Sequence, residues 1–249
     1  MRLAGFLSAL ILACAAFAAQ AAEPAPLKGP VYGSGADALV VVLHGDMSKG
    51  GAATYHYPFA ERIARDHPGV TAVALLRPGY YDDDGRTSPG SANDRKDHYT
   101  AENNALVAET IANLKAATGA AKTIVVGHSG GAAQTGVLMG KQPGLIDVAV
   151  LVSCPCDVPA WRQAKGRSAW NRSESPQDFV TGLSPEARIV AATGSRDTNT
   201  SSAWGIRYVN AAKDAGASAE FIKIEGAKHG FNRMADQIAA IVAAELARQ

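Results

Sequence analysis

Five consecutive residues, Gly127-His128-Ser129-Gly130-Gly131, follow directly on the apolar run Thr123-Ile124-Val125-Val126 and constrain this chain more than any other stretch. A serine flanked by glycines in this way, with a strand before it and a helix after it, occupies a sharp strand-to-helix turn. Side chains at the glycine positions would collide with neighbouring backbone. The turn lifts the hydroxyl above the sheet edge. It also sets the amide of Gly130 at the start of the next helix, aimed where negative charge develops on a substrate oxygen. Such geometry serves covalent acyl transfer. Because the pentapeptide alone also occurs in ordinary loops, the decision rests on its context and on an acid and a histidine later in the chain.

The rest of the sequence supplies the context. Apolar runs without alternation cover Leu39–Leu43, Val70–Leu76, Thr123–Val126, Val148–Val152, Ile189–Ala192 and Phe221–Ile224. Continuous hydrophobicity marks strands covered on both faces, as in a parallel sheet between helices. Between them lie helical patterns. Phe59 and Ile63 mark a short helix stopped by His67-Pro68-Gly69, and Thr100 caps one that carries Val107, Ile111 and Leu114 on a single face before Gly119. The turn helix runs from Gly130 to about Gly140. A stripe of Trp204, Tyr208 and Ala212 ends at Gly216, and Met234, Ile238, Ile241 and Leu246 predict a final amphipathic helix. The architecture expected is α/β.

Two segments depart from the pattern. Arg77 to Asp97, with Tyr80, Tyr81, Asp82, Asp83, Asp84 and Arg86, reads as a polar loop that either lines the site at the strand ends or is a solvated excursion. Residues from about 157 to 184, with Trp161, Arg162, Arg167, Trp170 and Arg172, read as a small lid inserted after a strand.

The N-terminus starts Met1-Arg2, continues apolar from Leu3 to about Ala19 and offers Ala19-Gln20-Ala21 as a small-x-small cleavage site. Residues 1–21 are therefore expected to be a signal peptide, and 22–249 one exported domain, periplasmic or secreted. The apolar part is short for a membrane span, so stable membrane insertion is not expected. A lipid anchor at Cys14 is a lesser alternative, since the apolar region continues past that cysteine. The 24 basic and 23 acidic residues, with Arg2 in the leader, leave the remainder balanced and without a basic block, which argues against nucleic acid. Cys154 and Cys156 flank Pro155. They read as two small residues packed at a strand end, although an oxidising compartment could bridge them. Metal-ligand spacing is not visible.

An acid and a base follow the serine. Asp197 stands just past the run ending at Ala192, and His229 lies on the loop Glu225-Gly226-Ala227-Lys228-His229-Gly230-Phe231 before the final helix. Serine is a weak nucleophile at neutral pH, so an imidazole must take its proton during attack and return it to the leaving group. A carboxylate on the other ring nitrogen fixes the tautomer. The expected triad is Ser129, His229 and Asp197. Asp157, also after a strand, and Glu225 are rival acids. Oxyanion donors are expected from the amides of Gly130 and of Gly45 or Asp46, with Asp46 preferred. His44 belongs to that loop, His128 is a packed or exposed ring, and His56, His67 and His98 read as plain surface histidines.

The segments Val40–Asp46, Val125–Ala133, Ala192–Thr200 and Glu225–Phe231 together resemble the α/β-hydrolase superfamily, over nearly all of the chain past the leader. Within it the look is closest to the prolyl-oligopeptidase and dienelactone-hydrolase branch, where G-x-S-x-G-G and a late H-G-F turn recur. The resemblance implies an eight-stranded, mostly parallel sheet with helices on both faces and no cofactor. Dienelactone hydrolases carry a cysteine where this chain has Ser129, so their lactone substrate does not transfer. The reading is a serine hydrolase cleaving a carboxylic ester of a small molecule. A peptidase or amidase acting on a short peptide uses the same residues, and a catalytically inactive fold serving as a binding protein is the rival of another class. Oligomeric state is not encoded in these features.

Overall fold

The computed structural model describes residues 25–248. The signal peptide expected over residues 1–21, and Cys14 within it, lie outside them. Strands β1 (Val31–Tyr32), β2 (Ala38–Leu43), β3 (Val70–Leu75), β4 (Lys122–His128), β5 (Val148–Val152), β6 (Arg188–Gly194) and β7 (Ser218–Ile224) form a single sheet. Its order is β1-β3-β2-β4-β5-β6-β7, parallel except for β1, which pairs antiparallel with β3. The expected runs account for β2 to β7. The sheet therefore has seven strands among the described residues, where the resemblance implies eight. β1 is only two residues long, too short for any periodic signal.

Alternation within each strand divides the core between two faces. Leu39, Val41 and Leu43 of β2 pack with Val107 and Ile111 of α2 (Ala101–Thr118), Leu138 of α3 (Gly130–Lys141) and Tyr208 of α5 (Ser202–Asp214). Val40 and Val42 face the other way, onto Phe59 and Ile63 of α1 (Tyr57–Asp66) and Ile238 and Val242 of α6 (Ala235–Ala247). Both faces of the sheet are thus covered, as unbroken apolar strands require. The Thr100 hydroxyl accepts from the amide of Asn103, and Gly119 closes α2 in the left-handed conformation.

Chain order fixes where a site can form. After β2 the chain adds β3 on one side, then returns to place β4 on the other, so β2 and β4 are neighbours and Leu43 pairs with Gly127. Their C-terminal ends flank a topological switch point, the crevice where open parallel sheets bind ligands. The loop after β2 and the turn after β4 meet there by register.

Residues 157–184 hold the short helix α4 (Val158–Ala164) and a 3-10 turn (Pro176–Gly182). Asp157 caps α4 through the Ala160 amide, and the turn packs against α3, where Pro176 meets Gly136. Cys154 and Cys156, expected to pack side by side, are joined in a disulfide. The two Cα atoms, on either side of Pro155, lie 5.1 Å apart, within disulfide reach.

Candidate active site

Ser129 links β4 to α3 with φ 52° and ψ −115°, a conformation that L side chains rarely adopt and that the surrounding packing must hold. A Cβ at Gly131 would lie 2.6 Å from the carbonyl oxygen of Leu43. Glycine there lets α3 press against β2, as the pentapeptide predicts.

The three expected side chains come together. His229 Nε2 lies 3.2 Å from Ser129 Oγ, and His229 Nδ1 lies 2.9 Å from Asp197 Oδ2. The rival acids are elsewhere: Asp157 pairs with Arg207, and Glu225 with Lys223. Asp197 Oδ1 accepts the amides of Asn199 and Thr200, and Oδ2 also accepts from the Thr200 hydroxyl. Burial opposes the charge of Asp197, but the hydrogen bond and charge of His229 outweigh it and bring its pKa down to about 2. An ionised carboxylate accepts the Nδ1 proton, which leaves Nε2 free to take one from Ser129. Asn199 Nδ2 stands 3.4 Å from the same Nε2, a neighbour the sequence did not single out.

The loop after β2 is clamped from behind. Arg77, fully buried, donates from Nη1 to Asp46 Oδ1 at 3.0 Å, while Tyr99 donates to Asp46 Oδ2 at 2.6 Å and Tyr80 to the Asp46 carbonyl at 2.7 Å. Arg77 also donates to the His44 carbonyl, to Gln134 Oε1 and to His98 Nε2. Every acceptor of Asp46 is therefore taken, and its amide makes no hydrogen bond among the described residues. A Cβ on Gly130 would fall 1.9 Å from Asp46 Oδ1, so this glycine is what admits the carboxylate beside the helix start. Burial works against the Asp46 charge, and Arg77 overcomes it to lower the pKa.

The Gly45 amide has a partner that sequence reading missed. It donates to the Tyr55 hydroxyl at 2.5 Å, and Tyr55 lies 2.6 Å from His128 Nδ1. Burial, and next the charge of His229, lower the His128 pKa to about 3, so the ring is neutral. His128 Nε2 faces the His229 carbonyl at 2.9 Å, which can only accept, so the ring proton sits on Nε2 and Tyr55 donates to Nδ1. A continuous chain of donors thus runs from the Gly45 amide through Tyr55 and His128 to the backbone of His229. With the Gly45 amide committed, the expected oxyanion pair narrows from three candidates to Gly130 and Asp46.

His56 and His98, expected at the surface, are buried. His56 Nε2 meets the Leu75 carbonyl, and His98 Nε2 accepts from Arg77. Burial lowers both pKa values, to about 3 and about 4 respectively, and lowers that of His44 well below the usual histidine range. His67 stays partly exposed at the end of α1.

Above Ser129 opens a cavity of about 900 Å³, walled by Tyr55, His128, Trp161, Trp170, Asn199 and His229. The polar segment 77–97 splits between the two expected roles. Its end, from Asp94 to Asp97, borders the cavity, Tyr80 lies buried behind it and Tyr81 is exposed. The segment 157–184, expected to be a lid, rests on the loop that carries Asp197: Trp161 Nε1 donates to the Asn199 carbonyl and Lys165 to that of Thr198. Among the described residues, no group of three or more His, Cys, Asp or Glu side chains is placed to hold a metal ion, and no helix is long and apolar enough to cross a membrane.

Comparison with known proteins gives this geometry a setting. A model of the alpha/beta hydrolase family matches residues 40–216. Est1E from Butyrivibrio proteoclasticus, in a structure with ferulic acid bound, is 14% identical over 89% of this chain and 96% of its own, with a TM-score of 0.67. The esterase Est2 from Thermogutta terrifontis, with propionate bound, is 18% identical over 91% of this chain and 93% of its own, TM-score 0.63. A protein provisionally named a dienelactone hydrolase, from Klebsiella pneumoniae subsp. pneumoniae MGH 78578, is 17% identical over 87% and 88% respectively, TM-score 0.64. At such identities the likeness is one of fold. No curated protein matches the chain.

Proposed function

The chain belongs to the α/β-hydrolase family, and from that premise we propose that it is a serine hydrolase that cleaves carboxylic esters of small molecules through an acyl-serine intermediate. The observation that carries this reading is His229 lying between Ser129 Oγ and an ionised Asp197 at the floor of an open cavity. In the proposed reaction His229 Nε2 takes the Ser129 proton as Oγ attacks the ester carbonyl. The carbonyl oxygen becomes an oxyanion facing the amides of Gly130 and Asp46. Collapse breaks the carbon–oxygen bond to the alcohol, which leaves with the proton from His229. Water then repeats the sequence with the same base, and releases the acid and free Ser129.

A carboxylate on Nδ1 stabilises the imidazolium formed at each transfer, and the fixed amides meet the oxyanion without reorganising. The export reading is kept as part of the proposal. It rests on the leader sequence at residues 1–21 and is tested by the N-terminus of the mature protein recovered from a periplasmic fraction.

The test is paired. Purified protein should hydrolyse short p-nitrophenyl esters and form a fluorophosphonate adduct, and Ser129→Ala should lose both while keeping its circular dichroism spectrum. Faster turnover of aminoacyl anilides than of esters would replace the esterase by a peptidase, and a folded wild-type protein that takes no adduct would leave only a binding role.

A further inference from the structure

We infer that the ester taken by this site carries a carboxylate, and that Arg162 and Arg167 of the lid receive it. The inference rests on the esterase reading and names the class of substrate. Both arginines border the same cavity as Ser129 and His229. Arg162 lies over the Trp170 ring, with Cζ 4.5 Å from its centroid, and its Nε and Nη2 donate to the carbonyl and hydroxyl of Ser168. Arg167 lies over Trp161 at 5.3 Å and donates to Asn199 Oδ1 at 3.2 Å. Contact with an indole face holds each guanidinium beside the ring without pairing it with a counter-ion.

Charge bookkeeping around the cavity points the same way. Neither arginine meets a carboxylate within salt-bridge distance among the described residues. Burial and then the nearby charge of Arg167 lower the Arg162 pKa, the sign of a cation short of a counter-ion. Lys49, Arg95 and Lys96 add positive charge to the same wall. Among the described residues the Arg95 guanidinium donates to the carbonyls of Met47 and Gly51 and faces the Tyr80 ring. Against these stand Asp46, Asp94 and Asp97. Asp46 is already neutralised by Arg77, and Asp97 accepts the backbone amides of Arg172 and Ser173. The cavity is left with an excess of positive charge concentrated on planar forks. A carboxylate matches that fork with two parallel hydrogen bonds, which a neutral ester group cannot do.

The experiment compares the monomethyl esters of succinate, glutarate and adipate with the corresponding dimethyl esters. Wild-type protein should favour at least one monoester over its neutral partner by about tenfold in kcat/KM, mostly through KM, and added salt should weaken that preference. In the double variant Arg162→Gln/Arg167→Gln the ratio should fall to near unity. Arg162→Lys and Arg167→Lys keep the charge but lose the fork, and should recover only part of it.

Binding is read separately, as saturable tryptophan fluorescence change on titrating the monoesters into Ser129→Ala protein, where no turnover is needed. Preference for the diesters, a ratio unmoved by the double variant, or saturable binding of inorganic phosphate without binding of any monoester would each overturn the inference. Binding of monoesters with no hydrolysis by wild-type protein would uphold the carboxylate site and reject the esterase reading.

Discussion

Arginines on the wall of the cavity and behind it are held in opposite ways. Behind the loop after β2, Arg77 is fully buried and each of its guanidinium nitrogens is hydrogen bonded, to Gln134, His44, Asp46 or His98. In the segment 157–184, Arg162 and Arg167 are at least partly solvent-exposed and lean on tryptophan faces, with no carboxylate within salt-bridge distance among the described residues. The first arrangement immobilises backbone, which suits a donor that must already point at a developing charge. The second leaves charge unspent, which suits recognition of a group that arrives from solvent. Charged residues of one type thus serve rigidity in one region and availability in the other.

The sharpest break falls on the floor of the cavity. Asp197→Asn keeps the shape of the acid but removes the charge that fixes the His229 tautomer, and should lower ester kcat by about four orders of magnitude, the size that this change has in a serine protease triad. Near-normal turnover in the variant would remove Asp197 from the orienting role. Next in size is Arg77→Met, which removes the fully buried guanidinium paired with Asp46, a carboxylate only 15% exposed. Loss of one partner from a buried pair costs about 3–5 kcal/mol of folding stability. Urea unfolding measures it, and a cost below about 1 kcal/mol would show that Arg77 does not brace the loop.

The same buried floor sets a pH dependence. His44, His56, His98 and His128 are all held neutral, with pKa values lowered to about 4 for His98 and about 3 for His56 and His128. In the unfolded chain they take up protons below about pH 6.5. Their contribution is complete above that pH and is lost as the pH falls toward 4 and 3, because the unfolded state then binds more protons. Asp197, with a pKa of about 2, adds stability above the usual carboxylate range that is lost only at still lower pH. Unfolding free energy should therefore decline steadily from pH 6.5 to 4, and a flat profile over that window would contradict the burial of these rings.

A smaller effect separates positioning from folding. Tyr55→Phe removes the hydroxyl that joins the Gly45 amide to His128 and leaves both without it. Ester kcat should drop about tenfold with KM little changed, as the loops carrying Asp46 and His229 lose their shared tether. A change confined to KM would make Tyr55 a cavity wall and nothing more.

What was readable in the sequence follows from how locally it is encoded. The strands β2 to β7, the Ser129 turn, and Asp197 and His229 at strand ends all announce themselves by short-range pattern and chain order, because a parallel sheet fixes which loops share an edge. Arg77 and Tyr55 do not. Their partners lie 31 and 73 residues away at Asp46 and His128, and nothing in the flanking residues marks an arginine or a tyrosine as buried. His56 and His98 were misplaced for the same reason, since their burial is decided by β3 and by Arg77. The Cys154–Cys156 bridge depends on how closely the backbone across Pro155 brings the two Cα atoms, 5.1 Å, which composition does not report.

The smallest expected effect is the control for the comparison itself. Arg207 pairs with Asp157 at 2.9 Å, a distance close to the 3.0 Å of Arg77 and Asp46, yet the Arg207 side chain is 56% exposed and that of Arg77 is not exposed at all. Water already solvates Arg207, so Arg207→Gln gives up a screened interaction at the edge of the lid and should cost less than about 1 kcal/mol. Asp157 keeps its bond to the Ala160 amide, so α4 retains its cap. Urea unfolding of Arg207→Gln beside Arg77→Met then compares two ion pairs of the same chemistry and nearly the same length. If the exposed pair proved as costly as the buried one, burial would not be what distinguishes the cavity floor from the lid.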